Sequence, residues 1–74
     1  MTRPDRLIYM ANQIAAFFAA QPGDAAIGVA GHLKSFWDPH MRAEILAWRA
    51  AGGEGLSPVA LEAVARLEAA APAR

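Results

Sequence analysis

The side chains best suited to chemistry are concentrated in residues 31–42, which hold both histidines, a tryptophan and charges of both signs. His32, Asp38 and His40 could offer nitrogen and oxygen ligands to a metal such as zinc. The histidines are eight residues apart, on either side of Asp38-Pro39, whereas helical zinc sites often place two ligands at i and i+4. The spacing therefore favours histidines at a surface or an interface over a metal site.

Nucleophilic catalysis is the other chemistry to consider, because Ser35 lies three residues after His32. A serine nucleophile needs a neighbouring base that a third group orients, and no such group is evident beside this pair. Residues 52–55, Gly-Gly-Glu-Gly, lack the Lys-Ser/Thr pair of a phosphate-binding loop. We therefore interpret the chain as non-catalytic, with no catalytic residue, no cofactor-binding residue and no metal ligand.

Composition limits the size and the partners of this 74-residue chain. Seven Lys and Arg balance seven Asp and Glu, which argues against nucleic-acid binding, because nucleic-acid binders are usually basic. Without cysteine, so small a domain needs an efficient helical core, a partner, or both. The uncharged residues 7–23 are too short for a membrane span and are interrupted by amides. We expect one cytoplasmic domain over residues 1–74, with a frayed tail at 69–74.

Four helices are predicted, because Gly and Pro separate four stretches in which apolar residues recur at helical spacing. The predicted ranges are about 4–21, 25–37, 39–51 and 58–70, which makes the fold class all-α, a small bundle of three to four short helices. Asp24, Asp38 and Ser57 are predicted to cap the last three helices by accepting their free backbone N–H groups. Gly52-Gly53 is predicted to end the third helix.

The apolar stripe of each helix predicts the core. The expected core residues are Leu7, Met10, Ile14, Phe17, Phe18, Val29, Leu33, Phe36, Met41, Ile45, Trp48, Ala60, Leu61, Val64 and Leu67. Trp37 lies at the margin of its stripe, so we expect it to be part-exposed in the isolated chain and covered by a partner. The rival prediction is that Trp37 closes the end of the bundle. Gly28 and Gly31 share one side of the second helix, which indicates either a close approach of another backbone or a weak, bent helix.

Three of the helices have a second side that is almost free of charge, although a solvated helix face normally carries Lys and Glu. Such faces are typical of a subunit embedded in a larger assembly. We therefore predict that the uncharged face of the first helix and the turn at 37–42 form a docking surface. The predicted partner-binding residues are Tyr9, Asn12, Gln13, His32, Trp37, Asp38, Pro39, His40, Met41 and Arg42.

Two blocks of this sequence resemble a known family. Residues 7–14, Leu-Ile-Tyr-Met-Ala-Asn-Gln-Ile, with Phe17-Phe18, form the first block, and His32 with residues 36–42, Phe-Trp-Asp-Pro-His-Met-Arg, forms the second. Over roughly residues 6–68 the chain resembles the delta subunit of bacterial soluble NAD-dependent, molybdenum-containing formate dehydrogenases. The resemblance implies an accessory subunit that is not itself a redox centre and whose partner is the catalytic large subunit and its complex. Net charge and the short apolar stretch argue against nucleic acid and membrane as partners. It also implies that the cofactors belong to partner subunits: bis-molybdopterin guanine dinucleotide with molybdenum, iron–sulfur clusters and FMN.

Three functions remain open at this stage. The first is an accessory subunit that docks on the catalytic subunit and stabilises it or supports assembly. The second is a maturation factor that transiently binds the molybdopterin cofactor, with phosphate contacts from Lys34, His40, Arg42 and Arg49. The third is a homo-oligomeric helical regulator; zero net charge makes a DNA-binding form of it the weakest candidate.

Overall fold

The structure, a computed structural model, describes residues 2–69 of the chain. It consists of helices α1 (Asp5–Ala19), α2 (Ala25–Phe36), α3 (Pro39–Ala50) and α4 (Pro58–Ala69). Residues 2–69 contain no strand, and the predicted all-α bundle is confirmed, with helix ends within about two residues of the predicted ones. Of the tail predicted at 69–74, Ala69 belongs to α4 and the remainder lies outside the described residues.

Side-chain caps define where α2, α3 and α4 begin. The carboxylates of Asp24 and Asp38 each accept a hydrogen bond from the backbone N–H three residues further on, at 3.1 and 2.8 Å. The hydroxyl of Ser57 does the same for α4 at 3.2 Å. Each of these N–H groups lies in the first turn, where no intrahelical carbonyl can reach it. The three predicted caps are confirmed.

The end of α3 depends on two glycines. The N–H of Gly53 donates to the carbonyl of Trp48 at 2.9 Å, and the N–H of Gly52 donates to the carbonyl of Arg49 at 3.0 Å. Both glycines have positive φ, 126° at Gly52 and 66° at Gly53, a conformation that residues with a Cβ rarely adopt. The predicted Gly-Gly end of this helix is confirmed.

The core is formed chiefly where α2 packs on α4, with α1 lying against α2 and α3 against α4. Val29, Leu33, Ile45 and Val64 are its largest fully buried side chains. Alanines fill much of the remaining interior: Ala11, Ala15, Ala26, Ala60 and Ala63 are buried. Because alanine occupies little volume, helix faces lined by alanine can pack closely against their neighbours.

Three aromatic residues lie where they were not expected. Phe17 and Phe36, predicted in the core, are exposed over 61% and 75% of their surface. Trp37, predicted to be part-exposed, is only 4% exposed and belongs to the core, in agreement with the rival prediction. The reason is local: α2 ends at Phe36, and Trp37 is extended with φ −84° and ψ 140°. Its side chain therefore does not follow the helical wheel on which the prediction placed it.

The apolar stripe of α1 is also rotated from the predicted one. Its buried residues are Leu7, Ile8, Ala11 and Ala15, whereas Met10, Ile14 and Phe18 are partly buried at the edge of the core. None of the four helices within residues 2–69 is long and apolar enough to cross a bilayer.

Candidate docking surface

Aromatic side chains cross the outer side of α1 and α2 in a continuous line, which we call the aromatic row: Phe17, Phe18, His32 and Phe36. The rings of Phe17 and Phe18 meet edge to face, with centroids 5.3 Å apart. The centroid of Phe18 lies 6.2 Å from that of His32, which in turn lies 4.7 Å from that of Phe36. Ring pairs at such distances attract each other, so the row is a cohesive apolar surface.

A shallow groove of about 300 Å³ lies beside the aromatic row. It is lined by Gln13, Ile14, Phe17, Phe18 and His32, and none of these residues is an acid, a lysine or an arginine. The side chain of Gln13 continues the surface along α1, because its Nε2 donates to the Tyr9 hydroxyl at 2.6 Å. Tyr9 is itself 64% exposed.

Gly28 allows Phe18 to lie across α2. A Cβ at position 28 would be 2.5 Å from the ring carbon Cδ1 of Phe18, closer than carbon atoms can pack. A Cβ at Gly31 would meet no atom of residues 2–69 within 4 Å. The predicted approach of another backbone is therefore wrong: the neighbour at Gly28 is an aromatic ring, and Gly31 faces open space.

The turn between α2 and α3 was predicted to present Trp37 to a partner, but Trp37 and Asp38 instead have structural roles in it. Trp37 is buried, and Asp38 caps α3. The guanidinium of Arg42 donates to the carbonyl of Trp37 and, at 3.4 Å, to that of Lys34, both at the end of α2. These carbonyls carry the negative end of the helix dipole, which a cation stabilises. Of the other predicted docking residues in this turn, Pro39 and His40 are exposed and Met41 is half-buried.

Asn12 also has a structural role that its sequence position did not predict. Its Nδ2 donates to the carbonyl of Gly55 at 2.9 Å, and its Oδ1 accepts from the N–H of Ser57 at 2.8 Å. These bonds fasten α1 to the loop that precedes α4. Of the predicted face of α1, Tyr9 and Gln13 are exposed, whereas Asn12 is half-buried and its side chain is engaged within the fold.

The two histidines lie in different surroundings. His32 belongs to the aromatic row, while Nε2 of His40 lies 3.7 Å from a carboxylate oxygen of Glu44, one turn further along α3. Within residues 2–69, no three His, Asp or Glu side chains are arranged as a metal site would require. Arg49, one of the residues that a cofactor-binding role would use for phosphate contacts, donates from its Nε to the carbonyl of Leu61 at 3.1 Å.

The sequence analysis does not predict the aromatic row as a candidate site, because its phenylalanines fit the apolar stripes of their helices and are predicted to lie in the core. A signal for it was present in the sequence. Ala11 and Ala15 are spaced four apart on α1, and a face of small residues can pack closely enough to exclude the neighbouring aromatic rings. The only row member among the predicted partner-binding residues is His32.

Comparison with known protein families matches residues 6–64 to the family described as the NADH-dependent formate dehydrogenase delta subunit, FdsD. The match covers both sequence blocks that carry the resemblance and all of α1, α2 and α3 except Asp5. No curated protein and no solved structure shows a significant match.

Proposed function

The chain belongs to the NADH-dependent formate dehydrogenase delta subunit family, and from this membership we propose that it is a non-catalytic accessory subunit that docks on the catalytic subunit. In this role it stabilises the enzyme or supports its assembly. The observation that carries the proposal is the aromatic row, which leaves the large apolar side chains of Phe17 and Phe36 mostly exposed. Exposed apolar surface of this kind commonly marks a protein contact.

The energetic benefit of covering these rings supports a docking role. Fully burying a phenylalanine contributes roughly 1.5–3 kcal/mol. Because more than half of Phe17 and of Phe36 is exposed, a partner that covered both would gain about 2–4 kcal/mol from these two side chains alone. The redox cofactors expected of such an enzyme would lie on its other subunits, and this chain would contribute contacts rather than chemistry.

The hydrogen bonds of the arginines favour docking over the alternative of a factor that binds cofactor phosphates. Arg42 donates to carbonyls at the end of α2, and Arg49 donates to the carbonyl of Leu61 in α4. A phosphate would have to compete with these bonds. Of the other two residues considered for that role, Lys34 lies on α2, and Nε2 of His40 lies 3.7 Å from a carboxylate oxygen of Glu44, whose negative charge would repel a phosphate.

Expression of the enzyme's other subunits with and without this chain tests the proposal. We expect the yield of assembled enzyme, or its lifetime on heating, to fall severalfold without the chain, while molybdenum per assembled enzyme is unchanged. Restoring the wild-type chain should restore the yield. Normal amounts of assembled enzyme that lack molybdenum would instead assign the chain to cofactor maturation and overturn the docking role.

A further inference from the structure

We propose that the aromatic row and its groove form the surface that contacts another protein subunit of the formate dehydrogenase complex, and that this partner inserts an uncharged apolar side chain between Gln13, Phe18 and His32. The inference rests on the proposed function, and it centres the contact on the aromatic row, which ends at Phe36, rather than on residues 37–42. The partner is a larger subunit of that complex, rather than a second copy of this chain.

The shape and lining of the groove define what enters it. Ile14, Phe17 and Phe18 present hydrocarbon, so the inserted group is an aliphatic or aromatic side chain. Gln13 and His32 place hydrogen-bonding groups on either side of that hydrocarbon, one on α1 and one on α2. An apolar anchor flanked by polar groups is the usual construction of an interface centre, where aromatic residues are enriched and charges are depleted.

The lack of charge on this surface indicates that the partner's contacting face is also uncharged. Among residues 2–69, no charged residue lines the groove, and α1 carries none from Leu7 to its end. An anionic membrane or a nucleic acid would be held by Lys and Arg, which this surface lacks. A protein face that is itself apolar and uncharged loses little solvation on contact with the row.

The available area favours a larger partner over a second copy. Taking roughly 200 Å² for a whole aromatic side chain, the exposed fractions of Tyr9, Phe17 and Phe36 together amount to about 400 Å². A stable interface buries about 800 Å² on each side. A symmetric pair of this chain meeting at the row and at Tyr9, whose hydroxyl bonds to Gln13, would reach about half of that area. A larger subunit can cover the row and also the surrounding surface of α1 and α2.

Co-purification of the full chain with the other subunits tests the surface. The variants are Phe17→Glu and Phe36→Glu, and the matched control is Ile27→Glu. Ile27 is also a large apolar residue that is 56% exposed on α2, but it lies five residues, about 140° around the helix, from His32. All three side chains are exposed, so we expect each variant to keep the helical circular dichroism of the wild type.

We expect retention of the Phe17 and Phe36 variants to fall at least tenfold while the Ile27 variant is retained like the wild type. Full retention of both phenylalanine variants would overturn the assigned surface but leave the proposed function standing. Equal loss of all three variants would also overturn it. Failure of the wild type to co-purify would contradict the proposed function itself. A discrete dimer of the isolated chain in sedimentation, abolished by Phe17→Glu, would assign the row to a second copy instead.

Discussion

Phe36 and Trp37 are adjacent in the chain but lie in opposite environments. Phe36 is 75% exposed, whereas Trp37 is 4% exposed in the core. Trp37→Ala should therefore lower the free energy of unfolding by about 3–5 kcal/mol, since it removes a buried indole and leaves a cavity. Phe36→Ala should change it by about 0.5 kcal/mol or less. Denaturant unfolding followed by circular dichroism measures both, and equal losses would contradict the assigned burial.

Asn12 and Gln13 are also adjacent, but the amide of Asn12 bonds to the loop before α4, whereas that of Gln13 is on the surface. Asn12→Ala leaves the carbonyl of Gly55 and the N–H of Ser57 without their bonds to α1. We expect a loss of about 1–3 kcal/mol in unfolding free energy, the usual cost of a partly buried polar group left unpaired. Gln13→Ala is the matched control, because within residues 2–69 its exposed amide bonds only to the Tyr9 hydroxyl, and it should cost about 0.5 kcal/mol or less. A Gln13 effect as large as that of Asn12 would contradict these roles.

At the scale of the helix, α2 offers two glycines in contrasting surroundings. Gly31→Ala adds a methyl group where nothing lies within 4 Å, so we expect the higher helix propensity of alanine to stabilise the fold by about 0.5–1 kcal/mol. Gly28→Ala would press the same methyl group against the Phe18 ring, so it should remove that gain or destabilise. Thermal unfolding of the two variants checks this contrast. Equal stabilisation would show that Phe18 moves away without cost.

Helix ends could be predicted from the sequence because the signals that set them are local. Asp24, Asp38 and Ser57 act on N–H groups three residues away, and the two glycines of the α3 end act within one turn. The inward side of each helix could not be predicted in the same way. α1 has more than one apolar side, and alanines allow close packing, so Ala11 and Ala15 are buried while Phe17 is exposed.

Contacts between separate segments of the fold explain why Asn12 and Arg42 were predicted to bind a partner although their side chains bond within the fold. Asn12 bonds to residues 43 and 45 positions away, and no pattern within α1 indicates those partners. Arg42 reaches back to the last turn of α2, which becomes visible only once the two helices are joined at Asp38-Pro39. The expectation of an uncharged docking face on α1 stays a prediction. What the structure shows is that the ring of Phe18 on α1 lies 6.2 Å, centroid to centroid, from that of His32 on α2.

The whole molecule is small enough for a partner to alter its stability measurably. At about 0.05–0.15 kcal/mol per residue, 74 residues give roughly 4–11 kcal/mol of unfolding free energy. A partner that binds only the folded chain, present at about 100 times its dissociation constant, adds about 2.7 kcal/mol. Amide hydrogen exchange at the fully buried Val29, Leu33, Ile45 and Val64 should then slow by about 100-fold wherever exchange requires global unfolding.

The control for this experiment is the Phe17→Glu chain, which removes an exposed ring and should leave the exchange of the free chain nearly unchanged. Addition of the partner should not slow the core amides of this variant, because the contact that links binding to folding is weakened. Slowing confined to surface amides of α1 and α2 in the wild type would contradict the prediction. It would mean that the partner binds the native and the opened chain equally well, since stabilisation by binding requires preference for the folded form.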